Sequence, residues 1–97
     1  MASVRAPKSL TIEEAFGHIL QDLREQQGLK QVEVAVATGY SQRAVGMLER
    51  GEKSPTLRTM ENFACFYDVP LEELIVRAKQ LRSKTPGTLS KVNSRKR

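Results

Sequence analysis

Few groups in this chain could carry covalent chemistry. It has one cysteine, Cys65, and one histidine, His18, so no internal disulfide can form. That single pair does not supply the ligand spacing of a structural zinc site, and both residues read as packing or surface groups. Glu13 and Glu14 are adjacent carboxylates, the type that general acid–base work employs. They open a helical segment, where the helix dipole and capping explain them better. The sequence has no Ser-His-Asp-like set, no phosphate-cradling glycine loop and no metal cluster. An enzyme is therefore not expected, nor is a cofactor or a metal. The chemistry on offer is hydrogen bonding by planar groups. Arg43 and its neighbour Gln42 carry such groups, each able to make two hydrogen bonds at once.

These side chains must be held by helices. "LTIEEAFGHILQDLREQQG" opens with Thr11 and has Glu14 three residues on, a capping box with Leu10 and Ala15 at staple positions. Ile12, Ala15, Phe16, Ile19, Leu20 and Leu23 form a helical stripe, and Gly28 stops it. "LKQVEVAVATG" is short, with Val34, Ala35 and Thr38 facing inward and Gly39 as the stop. Its V-E-V-A-V alternation also fits a strand; helical neighbours and the Gly39 stop favour a helix. "YSQRAVGMLERG" has Ser41 as N-cap and Tyr40 and Val45 in the staple relation. Val45 and Leu48 share one face; Gln42, Arg43, Gly46 and Arg50 take the other. Thr56 caps the next helix, with Leu57, Met60, Phe63, Ala64 and Tyr67 as its stripe. Asp68 falls where the chain must turn left-handed, a conformation Asp tolerates better than most residues. The last helix starts near Pro70, with Glu72 and Glu73 early and Arg77 and Lys79 late, as the helix dipole prefers.

The 97 residues therefore predict one all-α domain, a compact five-helix bundle over 10–82. Residues 1–9 read as a flexible arm, and 83–97 as a basic, disordered tail. No apolar run approaches the ~18 residues of a membrane span, and the start lacks a signal peptide's apolar core. A reducing, cytoplasmic setting follows. The net charge of +5 is unevenly placed: residues 11–76 carry 6 basic and 11 acidic side chains, whereas 77–97 carry 8 basic and none acidic. A nucleic acid would thus be met by one face, with the tails adding long-range attraction.

Four pieces in one register, "LREQQGLKQ", "AVATGYS", "LERGEKSP" and "LEEL", resemble the helix-turn-helix domain of the phage-repressor and Cro-like regulators, the XRE family. The resemblance covers Phe16 to about Ile75. It implies a lambda-repressor-like DNA-binding domain whose third helix, 42–50, lies in the major groove while the second crosses the backbone. Carried over by position, it places Gln42 and Arg43 at base-reading positions. Met47 falls one turn on, where it either touches a thymine methyl or packs inward. Gln31 falls where the family contacts a phosphate and braces the first residue of the third helix. Arg24 and Glu49 fall at a partly buried ion pair. Lys30, Arg50, Lys53, Ser54, Thr56 and Arg58 flank the reading helix and are expected at phosphates. The chain departs from the family pattern at three points. Lys30 stands where a Ser or Thr cap is usual, forgoing roughly 1 kcal/mol. Pro70 replaces a capping Ser. Gly46 replaces a larger residue on the DNA-facing side and would let the helix approach the bases.

The expected function is sequence-specific binding of double-stranded DNA by a repressor-type transcriptional regulator. It would act as a homodimer on a near-palindromic operator, in a bacterial or phage-encoded setting, with control by a protein partner possible. Leu71, Ile75, Val76 and Ala78 are the expected dimer surface, against the alternative that they only close the core. A different class, a protein-binding module such as an antitoxin or coactivator-like partner, would use the same fold.

Overall fold

The computed structural model describes residues 10–84; the arm over 1–9 and the tail from 85 onward lie outside the described residues. Five helices follow in order: α1 (Ile12–Gln26), α2 (Gln31–Thr38), α3 (Gln42–Arg50), α4 (Leu57–Tyr67) and α5 (Leu71–Lys84). No strand occurs among the described residues. The V-E-V-A-V segment is helical, closed by left-handed Gly39, whose N–H donates to the Ala35 carbonyl at 2.9 Å.

Local chemistry accounts for most boundaries. The Glu14 N–H donates to Thr11 Oγ1 at 3.0 Å, and the Thr11 N–H donates to Glu14 Oε1 at 2.9 Å, completing the capping box. Ser41 Oγ accepts the Ala44 N–H, and Thr56 Oγ1 accepts the Thr59 N–H. Asp68 ends α4 in the left-handed region at φ 58°. At α2 the Lys30 ammonium has no lone pair to accept a backbone proton. The Lys30 N–H nevertheless donates to Glu33 Oε1 at 2.7 Å, so the reciprocal half of a capping box is present. α5 runs through Ser83 and Lys84, two residues past the expected tail boundary. Near its end Arg82 Nε donates to the Leu10 carbonyl at 3.1 Å, joining the end of α5 to the residue before α1's cap.

The core takes Ala15, Phe16, Leu20 and Leu23 from α1, Val34 and Ala35 from α2, Val45 and Leu48 from α3, Phe63, Ala64 and Tyr67 from α4, and Leu74 and Ala78 from α5. Fully burying one large apolar side chain contributes about 1.5–3 kcal/mol, so every helix is fastened by at least one such group. Ala78 is 0% exposed and belongs to this core. It cannot present a dimer surface: its small side chain sits where α5 packs down. Val76, two positions earlier, points outward at 50% exposure, with Leu71 and Ile75 only partly covered.

α1 and α3 approach closely at glycine. A Cβ added at Gly17 would lie 2.2 Å from the Leu48 carbonyl oxygen and 2.5 Å from that of Glu49. Gly51 closes α3 at φ 73° and likewise abuts Glu14, with a Cβ there 2.6 Å from its Cα. The two glycines let α3 lie directly against α1, and this contact sets how α3 is presented.

Candidate nucleic-acid interface

α3 is clamped at its buried end and open at its start. Val45 and Leu48 anchor it in the core. Gln42 and Arg43, in its first turn after the Ser41 cap, are exposed, and Met47 is half-buried beside them. At the other end Glu49 is buried and receives a two-point fork from Arg24: Nε to Oε2 at 2.7 Å and Nη2 to Oε1 at 3.1 Å. The third guanidinium nitrogen of Arg24 donates to the Leu29 carbonyl at 2.9 Å. The hydrogen bond to Glu49 holds the Arg24 guanidinium above its usual range. Removing Arg24 would leave the buried Glu49 carboxylate without its countercharge, a change that destabilises by about 3–5 kcal/mol.

Gln31 joins this centre. Its Nε2 donates to Glu49 Oε1 at 2.9 Å, so the amide braces the ion pair and not the first residue of α3, Gln42, as expected. A carboxylate is a stronger acceptor than a neutral amide, which explains the preference. One carboxylate thereby ties the C-terminal part of α1, the start of α2 and the end of α3. Tyr67 lies in the same buried region. Burial pushes its phenol up to about 12, with the Glu49 charge adding and Arg24 opposing.

The turn between α2 and α3 is pinned from α4. The Tyr40 ring stacks on Phe63 with centroids 5.3 Å apart. Its hydroxyl accepts from Asn62 Nδ2 at 2.8 Å and donates to Thr59 Oγ1 at 3.4 Å. These bonds, that to Thr59 first, hold the Tyr40 phenol below its usual range.

The expected DNA-facing polar groups divide. Lys30, Lys53, Ser54, Thr56 and Arg58 are exposed. The Thr56 hydroxyl is engaged, accepting from the Thr59 backbone and donating to Thr59 Oγ1 at 3.0 Å. Arg50 is exposed but also engaged: Nε and Nη2 donate to Glu52 Oε2 and Oε1 at 3.0 and 3.1 Å. Gly46 differs from expectation, because it is buried and not open to a groove. A Cβ there would meet Arg50 Nη1 at 3.0 Å and Gln31 Oε1 at 3.5 Å, so those two side chains cover it. The Arg50–Glu52 fork has a sequence signal, an Arg-Gly-Glu run. The left-handed Gly51 folds the chain back so that residues two apart meet. Gln31–Glu49 and Tyr40–Asn62 have no such local signal.

Among the described residues no group of three or more His, Cys, Asp or Glu could hold a metal. No helix among them is long and apolar enough to cross a membrane.

A short helix, a tight turn and a second helix that is buried on one side and open at its first turn define a helix-turn-helix fold. The chain belongs to the helix-turn-helix family HTH_3, whose model matches residues 20–74, from α1 into α5. Members of this kind are transcriptional regulators and not enzymes. The chain is 40% identical over 60 residues to the cryptic phage CTXphi transcriptional repressor RstR of Vibrio cholerae, across 62% of this chain and 54% of the repressor. It is 39% identical over 56 residues to the HTH-type transcriptional regulator SutR of Escherichia coli, across 58% of this chain and 32% of SutR. The chain thus spans about half of one relative's length and a third of the other's. Among solved structures, the restriction-modification controller protein C.AhdI of Aeromonas hydrophila matches with a TM-score of 0.60 and 33% identity, over 63% of this chain and 92% of that one. The DNA-binding domain of BldD from S. venezulae matches with a TM-score of 0.58 and 34% identity, over 65% and 94%.

Proposed function

We propose that this protein is a repressor-type transcriptional regulator that binds a near-palindromic double-stranded DNA operator as a homodimer, within the bacterial or phage-host cytoplasm. One observation carries the reading. The first turn of α3 exposes Gln42 and Arg43, the two side chains suited to base edges, while the rest of that helix is fixed by Val45, Leu48 and the Arg24–Glu49–Gln31 centre. A reading helix needs this combination, because base contacts discriminate only when the donor fork arrives in a fixed orientation. Lys30, Lys53 and Arg58 flank α3 in sequence and supply cations for the two strands bordering the groove. Met47 adds an apolar contact for a thymine methyl. Two copies joined through the α5 surface of Leu71, Ile75 and Val76 would set half-sites roughly 34 Å apart.

Selection of bound duplexes from random DNA tests the reading in one step, since it reports binding, consensus and half-site symmetry together. An inverted repeat is expected. Arg43→Ala should then weaken the preferred site by about 1–3 kcal/mol and relax selection at one base pair per half-site. Recovery of no consensus, with only salt-sensitive binding, would sink the reading and favour a protein-binding module on the same fold.

A further inference from the structure

Arg50 is the basic side chain at the end of the reading helix, and all three of its guanidinium nitrogens face the protein's own surface. Nε and Nη2 donate to the two oxygens of Glu52 at 3.0 and 3.1 Å. Nη1 lies over Gly46, 3.0 Å from where a Cβ would stand. Three features build this seat. Left-handed Gly51 turns the chain back on itself, Gly46 leaves the space, and Glu52 supplies the acceptor. Glu52 also feels the charge of Arg43, the first-turn cation of α3. The Arg50 hydrogen bonds hold its carboxyl below the usual range, and Arg43 adds to this. An acidic group therefore sits among the cations of the surface proposed to meet DNA. Fork-on-carboxylate is the geometry in which arginine also grips a phosphate, so the two acceptors compete for one donor set.

We infer that Glu52 is an internal competitor for DNA phosphate, holding Arg50 in a neutral pair that must open before Arg50 can reach the backbone, and so setting the protein's sequence-independent affinity. The inference rests on the DNA-binding reading above. Phosphate contacts act on every sequence alike, whereas base contacts act only on the operator. A restrained phosphate grip lowers binding to the excess of other DNA and leaves discrimination to Gln42 and Arg43. The pair is exposed on both sides, with side chains 56% and 52% accessible, so it opens readily and acts as a restraint and not a lock.

The test uses the full chain with Glu52→Gln, Arg50→Gln and the double variant. Each is titrated by fluorescence anisotropy against its selected operator and a scrambled duplex of equal length, over a salt series. Circular dichroism melts confirm that each variant folds. Freeing one arginine for one phosphate should steepen the salt dependence of binding by about 0.9 in log–log slope. At ~0.15 M salt that corresponds to roughly fivefold tighter binding of both duplexes by Glu52→Gln. Arg50→Gln should not gain this increment, and the double variant should match Arg50→Gln alone. Unchanged or weaker binding by Glu52→Gln would overturn the inference, since Glu52 would then be inert or would orient Arg50 for the phosphate. A Glu52→Gln gain that persists in full without Arg50 would also overturn it, because the carboxylate would then act only as general negative charge. Absence of DNA binding by the unaltered protein would remove the functional reading, and this inference with it. Unaltered binding with no change in Glu52→Gln would remove the inference alone.

Discussion

Tyr67 brings a polar atom into the core without giving it a use there. Its ring is buried on α4 beside Phe66, and its hydroxyl finds no hydrogen-bond partner among the described residues. A buried hydroxyl without a partner keeps its desolvation penalty, so Tyr67→Phe removes the penalty and preserves the ring. The expected result at neutral pH is a fold as stable as the original or up to about 1 kcal/mol more stable, read from denaturant midpoints. The pH dependence has a definite sign. Burial raises the folded-state value to about 12 from an ordinary 10.0, so below pH 10 the phenol is neutral in both states and its full pH-linked share of stability is present. It is lost as pH rises from 10 through about 12, because only the unfolded chain ionises readily in that window. Tyr67→Phe should flatten that part of the alkaline stability curve. An equally steep loss in the variant would mean that other groups cause it.

At the scale of elements, the junction of α1 and α3 decides how α3 is held. Gly17→Ala would gain roughly 1 kcal/mol of helix propensity within α1. The added Cβ, however, lies 2.2 Å from the Leu48 carbonyl oxygen, a backbone atom that cannot rotate away. The helices must separate, which disturbs the burial of Val45 and Leu48 and the Arg24–Glu49 fork. Overpacking of this kind typically destabilises by about 1–3 kcal/mol, and a backbone clash belongs at the upper end or beyond. Urea unfolding should show that loss, and operator binding should weaken with it. A variant as stable as the original would mean that α3 is seated by other contacts. Gly17 carries no sign of this role in the sequence, because its partner is some thirty residues away. The helices themselves were legible, since their signals are local: Thr11 with Glu14, the Ser41 and Thr56 caps, the Asp68 reversal and the apolar stripes. The site was legible by halves. Exposed Gln42 and Arg43 follow from helix phase, and Arg24 with Glu49 came through family register, at a separation no local pattern can bridge. Gln31's turn toward Glu49, the covering of Gly46 and the depth of Ala78 depend on which faces meet after the helices pack.

For the whole molecule, size and charge make assembly the next question. A chain this small has limited core, and several apolar side chains stay in view, among them Val76 at 50% exposure and Leu57 at 68%. Acidic residues outnumber basic ones over 11–76, so general attraction falls mainly to the basic ends of the chain, and a second copy on the adjoining half-site would add contacts that a single copy lacks. If the α5 surface joins the copies, Val76→Glu should leave the folded monomer nearly unchanged, because position 76 faces outward. In the dimer the same carboxylate would lie in an apolar contact without a partner, and across a two-fold axis it would do so twice. Sedimentation should then show a dimer dissociation constant raised at least about tenfold, the equivalent of only ~1.4 kcal/mol. The concentration dependence of the melting temperature, which a homodimer must show, should disappear. Operator binding should change from steep to shallow while single half-sites bind as before. Ala78→Glu offers no such test, because a charge at a fully buried position would unfold the monomer first. A Val76→Glu protein that still sediments as a dimer would move the interface off this face of α5, toward the surface where Leu57 stands exposed.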